Sequence, residues 1–177
     1  MKRAIFSIAS IFLASAMMAA CGAEGDGPKT YPDPENPGVT ICEGFIPSPY
    51  VITAYSGNGA EVLEDEDKTA VWNGVNGLIN NTEEGEVIDF DIYEENLDAY
   101  KEQGVLFEFS YAGDYSVKDY GNRFDAIVFI FDGNSLIYGY RTKNSDGEYD
   151  EKIPSFYVIR GEEYSETVEK LKELVFG

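Results

Sequence analysis

Acidic side chains are the groups through which this sequence could do chemistry. Asp89 with Asp91, and Glu94 with Glu95, are spaced closely enough to serve as the acid and base of a glycosidase-type hydrolase. With 33 Asp and Glu among 177 residues, however, such pairs arise along the whole chain, and nothing singles out two differently tuned carboxyls in one cleft. The chain has no histidine, which removes Ser-His-Asp and Cys-His catalysis and His-ligated zinc. In "KNSDGEYDE", Asn144, Asp146, Glu148 and Asp150 alternate around Gly147 as oxygen ligands that suit Ca2+. The spacing to the terminal glutamate of an EF-hand is missing, and an Asx-rich turn accounts for Asn144 to Gly147 equally well. No other cofactor is indicated. Cys42 lies between Ile41 and Glu43 with neither a base nor a source of lowered pKa beside it, as a buried structural thiol would.

Binding chemistry is carried by the 13 tyrosines. Tyr138 and Tyr140 are two residues apart and share one face of an extended segment, as do Phe107, Phe109 and Tyr111. If buried, these rings build the core of a sheet. If exposed, Tyr138 and Tyr140 form a ligand-binding pair suited to stacking on a glycan or to a protein or peptide interface.

Alternating or continuous apolar runs predict the strands that would position these rings: 50–55, 87–93, 105–111, 124–132, 135–142 and 155–160. "AIVFIF" reads as a central strand covered on both faces, with Gly133-Asn134 turning into its neighbour. In 87–93, Ile88, Phe90 and Ile92 fall on one face and Asp89 and Asp91 on the other, the pattern of a half-buried strand. Helical spacing appears in Val71, Trp72, Val75, Leu78 and Ile79 of 65–80, despite Gly74 and Gly77, and in Tyr164, Val168, Leu171 and Val175 of 162–176. A short helix within 94–103 should end at Gly104. These elements predict an α+β fold: one domain, with a largely antiparallel sheet of about five to six strands and helices packed on one face, including a C-terminal helix.

The N-terminus has its own character. Lys2 and Arg3 precede the apolar stretch "AIFSIASIFL" and a run of small residues, the layout of a targeting peptide. Met18-Ala19-Ala20-Cys21 resembles the lipobox of bacterial lipoproteins, with Met18 where leucine is usual. That resemblance implies removal of residues 1–20, lipid on Cys21, and a place at the bacterial cell envelope, at the outer membrane, on its periplasmic or its surface side. Glu24 and Asp26 resemble the acidic signals of surface-exported lipoproteins. Residues 21–40, rich in Gly, Pro and acids without apolar periodicity, read as a disordered tether, and 41–177 as the globular domain.

Charge narrows the partners. The net charge is −20, and because Lys2 and Arg3 are the only charged side chains among residues 1–20, the remainder is more acidic still. Such a surface repels nucleic acid and attracts cations. The expected function is a non-catalytic binding module anchored to the membrane through Cys21, holding a protein, peptide or glycan. The alternatives are an inhibitor or decoy for cationic hydrolases or antimicrobial peptides, and a histidine-free enzyme. The mature protein should begin at Cys21 and partition into detergent, with a diacyl or triacyl increment in intact mass that Cys21→Ser abolishes. A soluble product beginning at Met17, cut after Ala14-Ser15-Ala16, would instead indicate ordinary secretion.

Overall fold

Side chains from Ala126 to Phe131 are all buried, as a strand covered on both faces requires. The structure is a computed structural model and describes residues 29–43, 45–57, 59–81, 86–88, 90–117, 123–142, 148, 150 and 152–177. In chain order the elements are β1 (Lys29–Pro32), β2 (Val39–Glu43), β3 (Val51–Ser56), β4 (Gly59–Val62), α1 (Asp65–Asn81), β5 (Glu86–Ile88), α2 (Phe90–Glu95), α3 (Leu97–Gln103), β6 (Leu106–Val117), β7 (Arg123–Asp132), β8 (Ser135–Thr142), β9 (Phe156–Ile159) and α4 (Glu162–Phe176). The fold is α+β: a mostly antiparallel sheet ordered β1-β2-β6-β7-β8-β9-β5, with the β3–β4 hairpin also attached to β6. β2 alongside β6 is the parallel pairing.

Two clusters make the core. On one face, Phe107 and Phe109 of β6, Phe129 and Phe131 of β7 and Leu136 and Tyr138 of β8 meet the apolar stripes of the two long helices, Val71, Val75 and Leu78 of α1 and Val168, Leu171 and Val175 of α4. A Cβ on Gly74 would lie 2.6 Å from Leu171 Cδ2, so this glycine is what lets the α4 side chain close against α1. Trp72 Nε1 and Asn76 Nδ2 both donate to the Ile46 carbonyl, at 2.9 and 3.2 Å, and the Ile46 amide donates to Asn76 Oδ1 at 2.8 Å, which fixes the segment leading into β3. On the opposite face, Leu106, Val128, Ile130, Ile137, Phe156 and Val158 pack under Tyr93, Leu97 and Tyr100 of the short helices. The long helices thus share one face, and the α2–α3 pair covers part of the other. No helix among the described residues is long and apolar enough to cross a membrane.

Two expectations are corrected. The strand predicted over 87–93 ends at Ile88, and α2 begins at Phe90. Tyr93, Leu97 and Tyr100 recur at helical spacing and bury together, a pattern that outweighs the shorter alternation before it. Gly104, at φ 69°, ends α3 as expected, with its amide bonding back to carbonyls of Lys101 and Tyr100. The tether expectation also fails from Lys29 onward, where β1 and β2 form a hairpin. Asp33 organises its turn: Oδ1 accepts from the amides of Glu35 and Asn36 at 2.8 and 3.2 Å, and Oδ2 from Asn36 Nδ2 at 2.9 Å. These bonds, led by the one from the Asn36 side chain, hold its carboxyl below its ordinary pKa. Residues 1–28, including Cys21, Glu24 and Asp26, lie outside the described residues.

Gly139 of β8 faces Phe156 of β9, and a Cβ there would come within 2.7 Å of Ile153 Cγ2 and 3.0 Å of the Phe156 ring. The fully buried ring lies where a side chain on β8 would stand. Gly139→Val should therefore overpack the second cluster, costing about 1–3 kcal/mol. Thermal melting should register this as a fall of about 2–4 °C per kcal/mol, and an unchanged midpoint would show that the ring is not seated there.

Candidate functional site

The aromatic pair offered for binding lies inside the protein. Tyr138 and Tyr140 are 3% and 9% exposed, so of the two readings of these rings the core one holds and the accessible ligand-binding pair does not. Tyr138 stacks on Tyr157 at 5.2 Å and on Phe129 at 6.1 Å, while Tyr140 meets Phe124 at 4.8 Å. These strand-face rings belong to the layer under α1 and α4 because the sheet curls round them. Tyr111 completes the layer, and burial raises its hydroxyl pKa well above the ordinary value. Cys42 is a buried free thiol whose pKa burial pushes up to about 11, the opposite of what a nucleophile needs.

Of the calcium-ligand candidates, Asn144 and Asp146 lie outside the described residues, as does Asp89 of the carboxylate pairs. Glu148 and Asp150 are exposed. Asp150 accepts a hydrogen bond from the Thr142 hydroxyl and donates its amide to the Thr142 carbonyl at 3.1 Å, so it closes the chain against the end of β8. Among the described residues, no three His, Cys, Asp or Glu side chains converge as a metal site.

A different surface assembles chemistry. A groove of about 310 Å³ opens between β3, β4, the start of α1 and the end of α4. Glu61, Glu64 and Asp67 line it beside Val62, Leu63, Leu174 and Phe176, and no Lys or Arg does. Lys68, the cation nearest in sequence, is 2.8 Å from Asp65 instead. α4 brings its C-terminal end here with no basic residue in its last turn, so the negative end of its dipole adds to the three carboxylates. Val62 and Leu174 are among the few large apolar side chains left exposed, at 59% and 40%. The groove thus combines apolar surface with three carboxylates and the negative end of a helix, and no Lys or Arg lines it.

None of these groove residues was singled out from sequence, although "EVLEDED" was a visible signal: an acidic run broken by Val62 and Leu63. What no local window could show is that the end of α4 packs beside that run.

Removing either buried tyrosine should cost stability. Tyr138→Ala and Tyr140→Ala should each lose about 3–5 kcal/mol in chemical denaturation, the range for truncating a large buried aromatic. A loss below about 1 kcal/mol for both would return them to the surface. Compared with protein-family models, with curated proteins and with solved structures, the chain matches none.

Proposed function

We propose that this chain is a non-catalytic binding module of the bacterial envelope, held through lipid on Cys21, and that its partner is a cationic protein or peptide seated in the groove of Glu61, Glu64 and Asp67. The groove is the observation that carries this reading, because it sets three carboxylates beside exposed Leu174 and is lined by no Lys or Arg. Burying a like-charged cluster under a neutral partner would leave its repulsion in place, whereas Lys or Arg side chains relieve it and lay their methylene stems on the apolar floor. The absence of histidine and the raised pKa of Cys42 support a binding role over catalysis. A glycan fits less well, since the stacking surface it would use is buried. The decoy reading differs only in which cationic partner is held, and the same groove serves it.

Titration with a short lysine- and leucine-containing peptide tests this reading. Affinity should fall several-fold between about 50 mM and about 300 mM salt as the charges are screened. The variant Glu61→Gln, Glu64→Gln, Asp67→Asn should bind about tenfold more weakly with an unchanged melting midpoint. Equal affinity for the variant and the parent would refute the groove as the site.

A further inference from the structure

Resting on that reading, we propose that the cationic partner binds as an extended strand added to the free edge of β4, with its basic side chains directed into the groove. Among the described residues β4 pairs only with β3, and all four of its residues are exposed. The Leu63 amide donates to the Ile52 carbonyl at 3.0 Å, which sets the phase of the ladder. By antiparallel alternation, the backbone groups of Gly59 and Glu61 then face β3, and those of Ala60 and Val62 point outward. An added strand finds two residues' worth of donors and acceptors ready to pair.

The side chains select what that strand must be. Glu61 pairs opposite Ala54, whose side belongs to the helix-covered face, so the incoming residue beside Glu61 points the same way, into the acidic groove. The residue beside Val62 points to the other face, next to an exposed valine. The preferred ligand therefore alternates basic and apolar residues. A second copy of this chain fits poorly, because edge-to-edge pairing would set Glu61 and its neighbouring acids against their equivalents. Residues 22–28 fit poorly for the same reason, carrying Glu24 and Asp26 and no cation.

A capped six-residue peptide alternating lysine and valine provides the probe, used with the full chain. In the proposed register the valine amides face β4 and the lysine amides face solvent. N-methylating the valines should weaken binding about tenfold by removing edge hydrogen bonds, and N-methylating the lysines should change it less than about twofold. Val62→Pro, which removes an outward donor, should match the valine-methylated result while its melting midpoint stays within a few degrees of the parent. Equal binding of both methylated peptides overturns strand addition. If the charge-neutralised groove variant still loses affinity in that case, the groove reading stands without it; if that variant binds as the parent does, both fall. Sedimentation showing a dimer that the peptide cannot dissociate would assign the edge to a second copy and overturn the proposal.

Discussion

The twelve residues of β6 serve three partner strands, two of them in succession along one edge. One edge pairs with β7 along most of its length. The other pairs with β3 through Leu106–Ser110 and, farther along, with β2 through Asp114–Val117, antiparallel in the first case and parallel in the second. A register break in the β6–β7 ladder, between Ser110 and Tyr115, falls at the same level as the gap between these two partners, where such an irregularity commonly bends a strand. Asp114, within that break and only 16% exposed, forms an ion pair with Arg123 and ties β6 to the start of β7 where the ladder resumes. The N-terminal hairpin and the β3–β4 hairpin both hang from this divided edge. So does the groove, since β3 and β4 form one of its walls.

The sheet's curl also explains where the tyrosines went. A flat sheet under two helices would leave its margins wet, and Tyr138 or Tyr140 could have faced solvent. Instead, Tyr111, Phe124, Tyr138, Tyr140 and Tyr157 form a continuous band of ring contacts that follows the curve beneath α1 and α4. Burial of this size dominates the stability of a domain whose surface is crowded with like charges.

What the sequence made legible was local. The β7–β8 hairpin could be read because continuous burial, the Gly133-Asn134 turn and alternation all lie within one stretch, and α4 because its stripe spans its whole length. "YPDPENPG" misled because its order comes from Asp33 bonding to Asn36 and Glu35 and from β2 docking on a strand some seventy positions later, neither of which leaves a periodic mark. Near Phe90, a period-two alternation overlaps the helical spacing of Tyr93, Leu97 and Tyr100, and only the longer pattern matches the burial. The groove was invisible for a related reason. Its acids could be counted, but the end of α4 reaches them only through the packing of α1 on α4 and of both on the sheet.

The N-terminal hairpin has a mechanical consequence. Any pull on the chain from before Lys29 enters through β1, which is exposed along its length and, among the described strands, paired with β2, whereas β2 buries Val39 and Cys42 against the body of the protein. β1 is therefore a fuse. Under load it peels away first, releasing residues 29–38 and about 30 Å of added reach at roughly 3.3 Å per residue. Because nothing in β1 belongs to the core, this lengthening leaves the rest of the domain folded, and the strand can zip back when the tension drops.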